Sequence, residues 1–520
     1  NIYDYHWYTG QYDYTTIQGG SSKSFVDDYL RKYKQHTNYN SINVYATYNK
    51  DFGNHHFKVM AGFNQESSYQ ETLDTYSYNQ AVLDVPAMSS GTGTIKATDS
   101  YSEYAIRGGF FRVNYNYLDK YLLEVNGRYD GSSKFPKSSR FGFFPSVSAG
   151  WQIAQERFMN STRHWLDGLK LRASYGVIGN QNINPYTFTP SMSVNNKATS
   201  WIIDDTYVTS ISSLPALVSQ NFTWEKVGTI NVGLDVNLFN NRLSGVFEWY
   251  QRNTNGMLAP GVQLPAVVGA SAPYQNTADM RTRGWELSLN WRDQIGKVGY
   301  RIGFNLSDYK SEIIKYDDNA ATKLLSSYYP GQTLGEIWGY VVDGYYTVDD
   351  FVDTSSWQLK EGVTSINGYN VRPGDVKFKN LRDDDTSTNV ITSGDNTFDN
   401  PGDRKVIGNT TPRYQYGINL GMNYAGFDLN VILQGTGKRD YWISNVLTFP
   451  MNGDNFVPLF EGLSDYWMPK DPDNGDWSAV NPNAKYPRIY GNRGNSGSNL
   501  RQSDKYLSDA SYPTNYPRNG

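Results

Sequence analysis

Chemistry in this chain would have to come from a short inventory. It holds five histidines, His6, His36, His55, His56 and His164. None makes the His-Glu-x-x-His spacing that sets two imidazoles on one helical face around zinc. His55 and His56 are adjacent, so a strand would point them to opposite faces. The count of cysteines is 0, which removes thiol nucleophiles, disulfides and thiolate metal sites. There is no Gly-x-Ser-x-Gly elbow and no phosphate-cradling Gly-x-x-x-x-Gly-Lys loop. Enzyme chemistry is therefore not expected. The best metal candidate is the acidic run Asp383, Asp384 and Asp385. Calcium favours such oxygen donors, but no turn-forming Gly or closing Glu completes a loop here, so a solvated acidic loop is the competing reading. No other cofactor is expected.

Aromatic side chains offer a different chemistry. Trp201, Tyr207, Tyr328, Trp338, Tyr340, Tyr345, Trp357 and Tyr369 fall in long irregular segments. Tyr and Trp present a flat apolar ring with a polar handle, which suits sugar rings or peptide side chains. The alternative is that they pack the loops' own small cores.

The elements that must position these residues repeat with a period of two, the period of a strand. Ile42, Val44, Ala46 and Tyr48 share one face, and Asn43, Tyr45 and Thr47 take the other. Similar rows run through Phe57–Phe63, Phe111–Tyr117, Tyr121–Tyr129 and Phe143–Trp151, then Leu169–Val177, Ile230–Leu238 and Leu243–Tyr250. Trp285–Trp291, Tyr300–Leu306, Tyr414–Met422 and Phe427–Leu433 continue the series, about twelve segments in all. Each sets an apolar row against a polar one. Arg112, Glu124, Arg128, Arg172, Asp235, Glu286 and Arg301 all fall on polar rows.

Short links join these segments in pairs: Asp51–His55, Leu118–Lys120, Asn240–Arg242, Asp293–Val298 and Tyr424–Gly426. Between pairs the links are long: Ser67–Ser100, Gly131–Phe141, Ile178–Phe222, Arg252–Arg281 and Lys310–Thr411, while one connection, Ile153–Asp167, is intermediate and falls in a short-side slot. Short periplasmic turns alternating with long extracellular loops are the habit of an outer-membrane barrel. Its outer row would face lipid and its inner row a wet lumen. Tyr121, Trp151, Trp249 and Trp291 near segment ends suit an interfacial aromatic girdle.

Composition sets the outer bounds. The chain has 520 residues, longer than one soluble core usually supports. Aromatics reach 15%, which excludes wholesale disorder. A formal net charge of -4 gives no basic footprint for nucleic acid. No apolar run is long enough for a membrane-spanning helix. The first ten residues carry no signal-peptide pattern. A large all-β adhesin or carbohydrate-binding protein is the soluble competitor.

The same segments carry a resemblance. Arg128-Tyr-Asp-Gly-Ser-Ser-Lys-Phe135 is followed by Arg140-Phe-Gly-Phe-Phe-Pro-Ser-Val-Ser-Ala-Gly-Trp151 and Leu169-Lys-Leu-Arg-Ala-Ser-Tyr-Gly176. Gly179-Asn-Gln-Asn-Ile183, Trp224-Glu-Lys and Asn231-Val-Gly-Leu-Asp235 come next. Then follow Gly284-Trp-Glu-Leu, Gly374-Asp-Val-Lys-Phe378, Ile407-Gly-Asn409 and Gly426-Phe-Asp-Leu429. In content, order and spacing these resemble the SusC/RagA-like branch of TonB-dependent outer-membrane receptors from Bacteroidetes. The resemblance covers roughly Ser41 to Tyr512.

That resemblance implies an all-β fold, a transmembrane antiparallel barrel of 22 strands closed around a plug. It implies residence in the outer membrane of a Gram-negative bacterium and TonB-dependent import of an oligosaccharide or oligopeptide. The implied partners are a SusD-like surface lipoprotein, TonB–ExbB–ExbD and outer-membrane lipid, with SusC–SusD pairs assembled as a dimer. A passive porin or secretion barrel is the alternative. In this scheme residues 1–40 form a loop and strand region and 41–436 the strands with their long loops. Residues 437–520 form a loop-rich C-terminal part of the barrel. The plug is expected from outside this chain, and the charged polar-row residues are expected to line the lumen and face it. In the acidic run, the family's Asp-Leu-Asn-Gly-Asp-Gly-like segment is replaced by Asn380-Leu-Arg-Asp-Asp-Asp385.

Overall fold

The computed structural model describes residues 29–82, 84–192, 215–319, 321–324, 328–366, 370–382, 389–441, 461 and 464–488, with backbone alone for a few short strands elsewhere. Twelve of the strands form one continuous antiparallel sheet. They are β1 (Tyr29–Phe52), β2 (His55–Tyr78), β3 (Ile95–Tyr117), β4 (Tyr121–Ser132), β5 (Phe141–Gln152) and β6 (Leu166–Asn180). β7 (Glu225–Leu238), β8 (Leu243–Pro260), β9 (Tyr274–Ile295), β10 (Val298–Tyr316), β11 (Arg413–Tyr424) and β12 (Phe427–Lys438) complete it. Every strand pairs with its sequence neighbour, so the sheet is a meander running from β1 to β12. Among the described residues its two outer edges are unpaired and the sheet does not close into a barrel.

The alternating segments read from the sequence all become strands of this sheet. Several strands run well past them, however. β1 reaches back to Tyr29, while β2 and β3 consume most of the link expected over Ser67–Ser100, leaving 79–94 as the connection. The reason lies in the side chains. Tyr33, Gln35, Thr37 and Tyr39 alternate as a strand does but lack an apolar row, so hydrophobic periodicity gives no signal there. The links still alternate between short and long except at 153–165, which falls in a short-side position yet is longer than the 133–140 link of the opposite side.

Local chemistry closes the short side. Gly53 turns β1 into β2 with φ 60, and Ala425 with Gly426 turns β11 into β12 with φ 48 and 89. Two central residues of positive φ match the twist of a hairpin. Phe239, Asn240 and Asn241 also adopt positive φ between β7 and β8.

Register keeps the rows apart. Val232 stands opposite Ala173 and Trp249, and Gly233 opposite Arg172 and Glu248. The outer row has little protein against it: Leu234 is 36% exposed, Leu429 55% and Val44 64%. A continuous uncovered apolar band is what a lipid-facing wall requires.

Buried cores lie at the long-loop end instead. Tyr340, Tyr346, Phe351, Ile366, Val376, Phe378 and Ile391 pack together inside the β10–β11 connection. That connection is thus a small folded module. It carries its own strand pairs, Glu336–Tyr340 with Arg404–Asn409 and Val342–Tyr345 with Val376–Phe378. A second core gathers Phe135, Phe144, Phe222 and Trp224 on the polar-row side of the sheet.

Candidate functional site

The polar rows build one face. Arg112, Glu124, Arg128, Arg172, Asp235, Glu286 and Arg301 all project from it, because the sheet keeps a common parity from strand to strand. They are knit laterally. The Arg112 Nε donates to Asn126 Oδ1 at 2.7 Å and lies 3.8 Å from Glu124. Arg128 donates twice to Asp130, at 2.9 Å each, and covers the Phe110 ring. Arg172 bridges Asp235 at 3.1 Å and also pairs with Glu248. Glu286 stands directly across from Glu248. Arg301 reaches Asn430. A hollow of about 740 Å³ over this face is lined by Asn49, Lys58, Asn114, Glu124 and Arg172. Such charges keep their hydration only with water or a polar partner against them.

The aromatic candidates divide. Tyr340 is 0% exposed in the core of the β10–β11 module, which excludes it as a ligand contact in this fold. Trp338 gives its indole N–H to Tyr329 and Glu336, each at 2.8 Å. Tyr345 donates to the Ala484 carbonyl at 3.1 Å. Trp357 packs edge-on against Phe351 and Trp477. These side chains hold the module together, as loop packing would have them do. Tyr328 is 48% exposed beside Tyr316. Trp201, Tyr369 and the acidic run Asp383, Asp384 and Asp385 lie outside the described residues, as does the side chain of Tyr207. Among the described residues no cluster of His, Asp and Glu has the geometry to hold a metal ion.

The module is tied to residues 464–488 by a buried ion pair. Arg488 donates to Asp375 at 3.2 Å, with side chains 10% and 2% exposed. Burial pushes the Asp375 carboxyl up to about 6, although the guanidinium and the Arg372 N–H pull it down. The same burial lowers Arg488. Asp403, fully buried, accepts from the N–H groups of Leu381, Arg382 and Thr392 at 2.8, 3.2 and 2.7 Å.

Comparison with known proteins places this wall. Residues 1–519 match the family model described as TonB dependent receptor-like, beta-barrel. The chain belongs to that family. TonB-dependent receptor P3 of Formosa agariphila is 29% identical over 447 residues, 82% of this chain and 41% of that protein. TonB-dependent receptor SusC of Bacteroides thetaiotaomicron is 32% identical over 283 residues, 53% of this chain and 27% of that protein. Among solved structures, the RagAB peptide transporter superposes with a TM-score of 0.61 at 22% identity, over 78% of this chain and 41% of that one. The chain thus spans less than half the length of these relatives. The chain is outer-membrane barrel wall of a TonB-dependent receptor, similar to SusC and to the RagAB transporter.

One part of the receptor wall was missed from the sequence. Above the level where β4 ends, β1, β2 and β3 continue as a projecting three-stranded wing. Its polar-row face carries Tyr29, Tyr33, Tyr76 and Tyr78 together with Arg31 and Asp74. The available signal was the density of tyrosine within 29–39 and 69–78.

Proposed function

We propose that the complete receptor imports an oligomeric nutrient, glycan or peptide, across the outer membrane with energy from TonB–ExbB–ExbD. The observation that carries this reading is the family match over residues 1–519. The laterally paired polar face supports it, because a large wet interior needs partners for its charges. In this reading Arg112, Glu124, Arg128, Arg172, Asp235, Glu286 and Arg301 line the lumen and face a plug domain. A SusD-like surface lipoprotein closes the extracellular end, in keeping with the pairing in SusC–SusD systems, and two such pairs form a dimer. Tyr328, together with Trp201 and Tyr369, is the remaining loop set for substrate contact. The test is growth on candidate oligosaccharides and oligopeptides of strains deleted for this gene, for the lipoprotein, or for neither. Loss of growth on one oligomer class in both deletions supports the reading. Growth of both deletion strains on every oligomer that feeds the parent contradicts it.

A further inference from the structure

We infer that the pore-side face of the wing binds an acidic oligosaccharide, one bearing uronate or sulfate groups; this rests on the import reading and narrows its substrate.

The face is continuous with the lumen wall. β1 and β2 pair without a register break from Phe52–His55 to Tyr29–Tyr78, so the parity that puts Asn49 and Lys58 in the lumen puts Tyr33 and Tyr76 on the same side above it. Near the tip, Tyr29 lies 5.6 Å from Tyr76 and 5.8 Å from Tyr78, centroid to centroid. Tyr29 is 46% exposed and Tyr33 54%. Flat rings held side by side and open to solvent are stacking platforms. Gln35, Gln70 and Thr72 stand between the rings on the same face and add hydrogen-bonding groups of the kind hydroxyl-rich rings require.

Charge selects the class of sugar. The anion nearest the tip, Asp74, is already engaged. Asp74 takes two hydrogen bonds from Arg31, at 2.9 and 2.8 Å, and one from Tyr76 at 3.2 Å. The lysines are not: Lys96 sits 4.8 Å above the Tyr78 ring and Lys134 5.0 Å above the Tyr104 ring, and among the described residues neither joins an ion pair. A cation resting on a ring presents positive charge beside a stacking surface. The rows holding Lys96 and Tyr104 are eight residues apart along β3, or about 27 Å at about 3.4 Å per residue. That separation matches an extended chain rather than a single sugar, and the strip leads from the tip toward the pore.

The experiment uses the complete receptor in detergent and end-labelled oligogalacturonate, read by fluorescence anisotropy. Its carboxyl-reduced counterpart and oligoglutamate of similar length serve as comparison probes. Variants are Lys96→Gln with Lys134→Gln, and Tyr29→Ala with Tyr33→Ala, each checked for heat-modified gel mobility. The expected result is oligogalacturonate binding weakened about tenfold in each double variant, with weaker binding of both comparison probes. Absent binding, unchanged affinity in both folded double variants, equal binding of oligoglutamate, or complete blockage by the lipoprotein seated on this face would overturn it. Should binding be absent while uptake of some nutrient still requires TonB, the wing assignment falls and the import reading stands.

Discussion

At the scale of single residues, the outer row carries the plainest consequence. Leu234 lies within β7 and Leu429 close to the turn that opens β12, both on the uncovered apolar face. Arginine should cost about 2–4 kcal/mol near the bilayer midplane and about 0–1 kcal/mol near an interface, so the cost at Leu429 should be the smaller one. We expect Leu234→Arg and Leu429→Arg each to lower the yield of heat-modifiable barrel, while Asn231→Arg on the opposite row is tolerated. Equal yields for all three would show that the row does not face lipid. Asp375 makes a second, pH-dependent prediction. Its carboxyl is raised to about 6 in the folded module, above the ordinary value of about 3.9. The folded state then binds the proton more tightly than the unfolded one. This group's stabilisation is full below about pH 4 and is lost as pH rises through about 6. Amide exchange over 340–346 and 376–378, corrected for intrinsic rate, should accelerate across that window. Asp375→Asn should flatten the change; an unaltered profile in that variant would assign the pH dependence to another group.

Among the elements, the alternation of link lengths is the feature to test. A thiol label that cannot cross the outer membrane should reach cysteine placed at Ser89 or Glu361 in intact cells. Cysteine at Asn241 or Lys297 should stay silent until the membrane is opened. Labelling of all four in intact cells would invert or abolish the topology. Strand existence was readable from sequence because membrane strands enforce a two-residue period on one apolar row. Strand length was not, because above the bilayer the lipid that enforces that row is gone. Residues 29–40 and 67–78 therefore extend as strands through backbone pairing with polar side chains on both faces. The β10–β11 connection shows the reverse limit. Its tyrosines and tryptophans look from the sequence like a ligand surface. Tyr340 and Tyr346 instead supply the core of a module whose partners, such as Arg488 and Trp477, lie more than a hundred residues away. Contacts of that separation leave no local pattern. That these charges share one face was recoverable by parity alone, but their pairings, such as Arg172 with both Asp235 and Glu248, needed the register.

For the whole molecule, a sheet with unpaired edges cannot stand in lipid, since unsatisfied backbone groups there cost several kcal/mol each. The wall described here is therefore one part of a closed barrel. A plugged, energy-coupled importer and an open diffusion channel share this wall and differ in one respect. The deciding measurement is the rate of uptake of the nutrient that depends on this gene, in otherwise identical cells with and without TonB. Energy-coupled import predicts that uptake falls to the level of the gene deletion when TonB is removed. Uptake that continues at the parental rate without TonB would contradict that account and make the barrel a passive channel.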